Sequence, residues 1–187
     1  MPAPIDQSAQ LARAAASTEP GYSLVDLTAD SPTTIVTAAR NLLLEYGQFV
    51  AAHPSVSSFC FGALEQEAAR LPQSYLDQGG GAIVAFASDH AVGFVAWRSF
   101  PFLHLASSCE LKRLWICPEA RGSGIGRALI QAVLDRARAN GKSAVLLDTA
   151  PEVMAVAHRL YLQLGFQECP PYNGPSQHGI IYMQKTL

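Results

Sequence analysis

Residues 110–130 read ELKRLWICPEARGSGIGRALI, and this stretch restricts the fold more than any other part of the chain. It starts as an alternating, strand-like run and turns at Pro118. Glycines follow at 122, 124 and 126, and an amphipathic run closes it. Glycines packed so densely ahead of a helix leave backbone amides open to close approach, with no Cβ in the way.

Spacing decides what those amides can hold. A P-loop needs GxxxxGK[ST]; Gly141-Lys142-Ser143 supplies its end, but the position five before Gly141 is Arg136, so the pattern fails. A dinucleotide fingerprint needs GxGxxG after a strand, and the position of its third glycine is Arg127. A bare turn with no ligand would spend backbone entropy without a packing reason. What remains is a strand, a basic residue, alternate glycines and a helix N-terminus. Ile125, Leu129, Ile130, Val133, Leu134 and Ala137 share one face of that helix, which docks it and holds its end still. Free amides, the helix dipole and Arg121 or Arg127 then suit a pyrophosphate.

Charge agrees with a small anion. The chain of 187 residues carries a net charge of −2, which gives no general attraction to nucleic acid or an anionic membrane. Lys112, Arg113, Arg121 and Arg127 nevertheless gather around the motif. Its length fits one domain with a full core. Cys60, Cys109, Cys117 and Cys169 form no CxxC pair and no zinc spacing, and reduced, mostly buried thiols are expected. His53, His90, His104, His158 and His178 are dispersed, so no metal is expected. The N-terminus lacks a basic and apolar leader and no 18-residue apolar run occurs, which predicts a cytoplasmic protein.

Along the chain, residues 1–20 lack a hydrophobic period and are expected to form a mobile arm, leaving 21–187 as one domain. A strand is predicted at 22–27. Ser31 as N-cap and Pro32 as first residue open a helix carrying Ile35, Ala38, Ala39, Leu42, Leu43 and Tyr46, with Gly47 as its stop. A second helix is predicted at 63–71. GAIVAFAS and AVGFVAWRSF form a hairpin about Ser88-Asp89-His90. Strand 109–117, a helix from the glycine turn to about Asn140, strand 143–149, a helix at 152–164 and a last strand at 179–184 complete the pattern.

Here the sequence resembles a family. Arg121, Gly124 and Gly126 fit the R/Q-x-x-G-x-G/A motif of the GNAT superfamily of N-acetyltransferases, which holds the pyrophosphate of acetyl-CoA. Leu114-Trp115-Ile116-Cys117-Pro118 is similar to the end of the family's splayed strand. AVAHRLYLQLGF matches its A-x-x-x-Y-x-x-x-G-F block through Ala157, Tyr161, Gly165 and Phe166. The resemblance covers about residues 22–187. It implies an α/β (α+β) domain with a mixed, mostly antiparallel twisted sheet of six to seven strands and about four helices.

The resemblance also implies function. Acetyl-CoA is the cosubstrate, and the acetyl group passes directly to an amine of a small molecule, amino acid or peptide. The alternative is a catalytically idle module that binds acyl-CoA. Coenzyme contacts fall on Leu114, Trp115, Ile116, Arg121, Gly122, Ser123, Gly124, Ile125, Gly126, Arg127 and Ala157. Glu110, eleven residues before Arg121, takes the place of the general base, and Tyr161 that of the acid that protonates the coenzyme sulfur. The bland readings stand beside these: Glu110 as a salt-bridging partner of Lys112, and Tyr161 as core packing. Many members carry asparagine seven before the tyrosine, where this chain has Met154, so Thr149 or Asp148 is the candidate substitute. The acceptor pocket should form from residues 45–61, 100–108 and 172–178, which name no acceptor. Related folds often dimerise, so a homodimer is an expectation too.

Overall fold

A computed structural model describes residues 21–53, 64–101, 107–176 and 178–187. The expected arm at 1–20 lies outside these residues. Chain order is β1 (Ser23–Leu27), α1 (Thr33–Ala51), α2 (Leu64–Ala69), α3 (Gln73–Leu76), β2 (Gly81–Ala87), β3 (His90–Ser99) and β4 (Ser108–Ile116). A 3₁₀ turn at Pro118–Ala120 follows, then α4 (Ile125–Ala139), β5 (Ala144–Thr149), α5 (Ala155–Gln163), β6 (Gln167–Cys169) and β7 (Ile181–Thr186). The strands form one seven-stranded sheet in the order β1-β2-β3-β4-β5-β7-β6. All neighbours run antiparallel except β4 and β5. This is the α/β architecture expected, with five helices among the described residues.

Each face of the sheet carries its own core. Leu42, Leu43 and Val50 of α1 and Leu64 and Ala68 of α2 pack over Ala82, Val84, Phe94, Ala96 and Leu146. On the other face, Leu129, Ile130, Val133 and Leu134 of α4 meet Ile83, Val95, Leu111, Val145 and Met183, with Tyr161 and Phe166 beside them. The apolar stripe read on α4 is thus the side buried, and each such side chain contributes roughly 1.5–3 kcal/mol.

The departures from expectation have local causes. Gly47 does not end α1, which runs on to Ala51. A Cβ at Gly47 would stand 2.7 Å from Leu64 Cδ2, so this glycine serves the close approach of α2 rather than a stop. Ser31 does not cap α1 either. Its Oγ accepts from the Thr28 amide at 2.8 Å, and Pro32 holds the N-cap position with no side-chain hydrogen bond. The helix expected at 63–71 is α2, which ends at Ala69; a further short helix, α3, starts after Pro72, and α5 starts at Ala155, later than expected. The three-residue β6 was too short to give a sequence signal, and β7 lies two residues further on. Gly141, with φ +66°, does end α4 as expected.

At the entry to β2 the backbone comes close to β3. A Cβ on Gly80 would lie 1.9 Å from the Trp97 carbonyl oxygen and 2.6 Å from Arg98 Cα, both fixed main-chain atoms. Gly80→Ala should therefore cost about 1–3 kcal/mol or more through overpacking. Thermal unfolding should show a Tm several degrees lower, at roughly 2–4 °C per kcal/mol for a domain of this size. An unchanged Tm would contradict the close approach.

Candidate active site

The site begins with a strand that leaves its neighbour. β4 pairs with β5 only through Ser108↔Ala144, Cys109↔Val145 and Glu110↔Leu146. Beyond Glu110, β4 stays on β3 up to Gly93↔Ile116, while β5 stays on β7 up to Thr149↔Ile181. The inner edge of β4 is open from there to Ile116. A β-bulge makes this possible: Phe94 faces Trp115, but Ala96 faces Lys112, so β4 carries one extra residue. Arg113 takes the strain at φ +61°.

The bulge also changes which way the side chains point. Cys109 and Leu111 pack on the α4 side, whereas four residues on Trp115 packs on the α1 side, and Leu114 and Ile116 face α4. Cys117 N–H donates to the Val92 carbonyl at 2.9 Å. Strand alternation then turns the main-chain groups of Ile116, and of Leu114 before it, to the open edge. Arg113 is held by a two-point ion pair, Nε and Nη2 donating to Glu67 Oε1 and Oε2 at 3.2 and 3.0 Å. The Tyr75 hydroxyl also donates to Glu67.

The open edge leads into a cleft of about 560 Å³ that ends at the N-terminus of α4. Leu114, Trp115, Ile116, Arg121, Gly122, Gly124, Ile125, Gly126, Arg127 and Ala157 line it, which are the residues expected to bind the coenzyme apart from Ser123. Ser123 instead donates its hydroxyl to the Ala120 carbonyl at 2.6 Å. Gly122 and Gly124 have φ of +82° and +89°, and a Cβ on either would meet nothing within 4 Å. This is an open cradle that side chains would fill. No side chain caps α4, so its first amides face the cradle. Arg121 lies 5.1 Å over the Trp115 ring, and its Nε donates to the Ile116 carbonyl at 3.1 Å. Arg127 Nη2 donates to Gln163 Oε1 at 2.8 Å.

The α1 wall of the cleft, Tyr46 and Phe49, and the carboxylate behind it fall in the segment 45–61 expected at the acceptor, not among the expected coenzyme contacts. Glu45 Oε2 accepts from Trp115 Nε1 at 3.2 Å across 70 residues of sequence. Their helical spacing was visible, but a contact that remote leaves no local signal. Met154, at the position where many members of the resembled family carry asparagine, lines the cleft as a hydrophobe.

The structure places the two residues expected to do chemistry on opposite faces of the sheet, and neither lines the cleft. Glu110 is 0% exposed. Arg98 Nε donates to it at 2.6 Å, the Tyr172 hydroxyl at 3.1 Å, and Lys112 Nζ stands at 3.5 Å. Its bond with Lys112 is the salt bridge that the bland reading foresaw. Tyr161 is buried edge-on against Phe166, with ring centroids 5.7 Å apart. Burial, and then the charge of Asp148, raise its pKa well above the ordinary phenol value. Asp148 faces Tyr182 across β5 and β7, and Asn173 Nδ2 donates to its Oδ2 at 3.0 Å.

The thiols do not compete. Burial pushes Cys109 up to about 11, and burial with Glu45 pushes Cys117 to about 11, so both stay protonated at neutral pH. No cluster of three or more potential metal ligands occurs among the described residues. Nor is any described helix long and apolar enough to cross a membrane. Of the expected acceptor segments, 54–61, 102–106 and 177 lie outside the described residues.

Comparison with known proteins points one way. The family model described as "Acetyltransferase (GNAT) family" matches residues 44–166. An IAA acetyltransferase of Azospirillum brasilense is 40% identical over 80 residues, 42% of this chain and 51% of that protein. The match spans about half the length of the first curated relatives. A GNAT-family acetyltransferase from Staphylococcus aureus shares the fold with TM-score 0.68 at 15% identity, covering 88% of this chain and 98% of its own. The PaiA N-acetyltransferase of Thermoplasma acidophilum, solved in complex with coenzyme A, has TM-score 0.64 at 18% identity, covering 89% and 99%.

The Glu67–Arg113 pair should be tested first for stability. Its side chains are 14% and 11% exposed, so Glu67→Ala leaves a nearly buried guanidinium without its main partner. That change should cost about 3 kcal/mol in urea unfolding. A loss under ~0.5 kcal/mol, the range of an exposed pair, would show that the bulge holds without the ion pair.

Proposed function

The chain belongs to the acetyltransferase (GNAT) family, and we propose that it transfers an acetyl group from acetyl-CoA directly to an amine of a small molecule, amino acid or peptide. The observation that carries this reading is the unpaired inner edge of β4 running into the uncapped N-terminus of α4 within one cleft. Acetyl-CoA supplies the activated acyl carbon and a thiol leaving group. The chain's own groups fit the two ends of such a molecule. Amides of Gly124, Ile125 and Gly126, with Arg121 and Arg127, meet a pyrophosphate in the cradle that Gly122 and Gly124 keep open. Main-chain groups of Leu114 and Ile116 pair with the amide-bearing arm as an added strand would. Trp115, Ser123 and Ala157 belong to the same coenzyme site, Ser123 through the loop conformation that its hydroxyl fixes. The Leu114 N–H would face the thioester oxygen and stabilise its developing charge.

An amine of pKa about 10 is largely protonated at neutral pH, so it must lose a proton before it attacks. We assign that proton to the carboxylate network anchored by Glu110. Tyr161 serves the leaving sulfur. Its raised pKa keeps the hydroxyl protonated, and burial makes the phenolate costly. Hydrogen-bond donation to the developing thiolate is therefore its main contribution.

The engagement of Glu110 by Arg98, Lys112 and Tyr172 favours one second reading, an idle acyl-CoA-binding module. A thiol-release screen separates the two, using acetyl-CoA against a panel of amines, amino acids and short peptides. The transferase reading expects release with at least one acceptor, and binding of acetyl-CoA with no release supports the idle module. Tyr161→Phe should lower kcat by about 10²-fold or more, with acetyl-CoA affinity unchanged by calorimetry. Unaltered turnover would remove Tyr161 from the mechanism.

A further inference from the structure

Two carboxylates lie where β4 and β5 part, and they differ in what they can reach. Glu110 belongs to the last pair that joins the strands, is fully buried, and is surrounded by Arg98, Lys112 and the Tyr172 hydroxyl. Asp148 sits two residues beyond Leu146, the partner of Glu110, and so on the same face of the sheet where the strands have already separated. It is half-buried. Among the described residues its single hydrogen bond is the one from Asn173 to Oδ2, and Oδ1 has none.

The surroundings of Asp148 hold further unspent polarity. Tyr182 stands opposite it in register, is 3% exposed, and its hydroxyl has no partner among the described residues. On the opposite face the hydroxyl of the next residue, Thr149, 4% exposed, is also without one among the described residues. Tyr172 packs edge-on against Tyr182 at 5.5 Å and ties this corner to Glu110. Burying hydroxyls unpartnered costs stability, and a half-buried carboxylate with one oxygen left over beside them marks a place where something binds.

Building on the transferase reading, we propose that Asp148 is the residue that meets the acceptor: its Oδ1 receives the ammonium group and takes its first proton. The neutral nitrogen then attacks the acyl carbon, the N–C bond forms and the C–S bond breaks. The nitrogen's second proton ends on the sulfur, so the products are an amide, a thiol and one proton passed from Asp148 to solvent. Glu110 is the positioning residue of this arrangement, holding Tyr172, Lys112 and Arg98 around the corner. The acceptor is therefore a cationic amine that enters from the α1 face, opposite the α4 side on which Leu114 and Ile116 pack.

The groups that set the titration of Asp148 are all in place. Burial raises its pKa, Lys112 lowers it, Glu110 raises it, and Arg113 and Asn173 lower it, while Tyr161, Tyr172 and Tyr182 complete the surroundings. A raised carboxylate adds no cost below its unfolded-state value near ~3.9 and its full cost above the native value. Asp148→Asn should therefore leave Tm at pH 7 unchanged or higher.

The decisive experiment compares wild type, Asp148→Asn and Glu110→Gln in thiol release with acetyl-CoA and the best amine of the panel, from pH 5 to 10. Asp148→Asn should lower kcat/KM for the amine by about 10²-fold or more at pH 7. Its residual rate should climb tenfold per pH unit towards the amine's own pKa, with acetyl-CoA affinity within twofold of wild type. Glu110→Gln should keep the wild-type shape of the profile, with its acid limb moved to lower pH because a neighbouring negative charge is gone. Wild-type kcat/KM and profile in Asp148→Asn would overturn the proposal. So would a loss matched by a lower Tm and weaker acetyl-CoA binding, which would mark Asp148 as structural. Absence of thiol release by the wild type with every amine would instead overturn the transferase reading, and this assignment with it.

Discussion

Everything in the site depends on a single extra residue in β4. The bulge at Arg113 lets β4 stay on β3 while it leaves β5, and this opens a strand edge inside the sheet instead of at its rim. An open edge in a protein interior is unfavourable, because its amides and carbonyls lack partners. Here the edge is kept by a strained backbone at φ +61° and by the two-point bond from Arg113 to Glu67 of α2. The helices on that face therefore maintain the strand separation as well as covering the core.

The separation divides the work between the faces. On the α4 side are the glycine cradle, the helix N-terminus and Tyr161; on the α1 side are Glu110, Lys112, Arg98, Tyr172 and Asp148. A buried ion pair such as Arg98–Glu110 adds little net stability once desolvation is counted. Its retention at the point where the strands part fits a role in placing charge around an acceptor. The two faces meet electrostatically at Asp148, which acts on Tyr161 from one side and on Tyr172 from the other.

Patterns that are local in sequence were legible. The strand, glycine loop and helix of 110–139 could be read directly, because pleat, turn and helix period are written in neighbouring residues. Most of the residues expected to meet the coenzyme come from that segment and Ala157, and all of these but Ser123 line the cleft. Gly47 misled because a glycine in a helix means either a stop or a close contact, and only Leu64, 17 residues on, distinguishes them. The partners of Glu110 come from Arg98 and Tyr172, 12 and 62 residues away, so neither its ion pair with Arg98 nor its bond from Tyr172 could be read from spacing. Asp148 was noticed only as a substitute for a missing asparagine. Its position where β4 and β5 part emerges from strand register, which the sequence pattern does not encode across that distance.

The central claim is that acetyl-CoA lies along the open edge of β4 with its pyrophosphate at the start of α4. Amide hydrogen exchange with and without acetyl-CoA tests it most directly. Slowed exchange concentrated at Leu114, Ile116 and the amides of 122–127 is the expected result. Protection centred on the separate groove lined by Tyr22, Ala87, Ala91 and Val92, with the β4 edge unchanged, would contradict it.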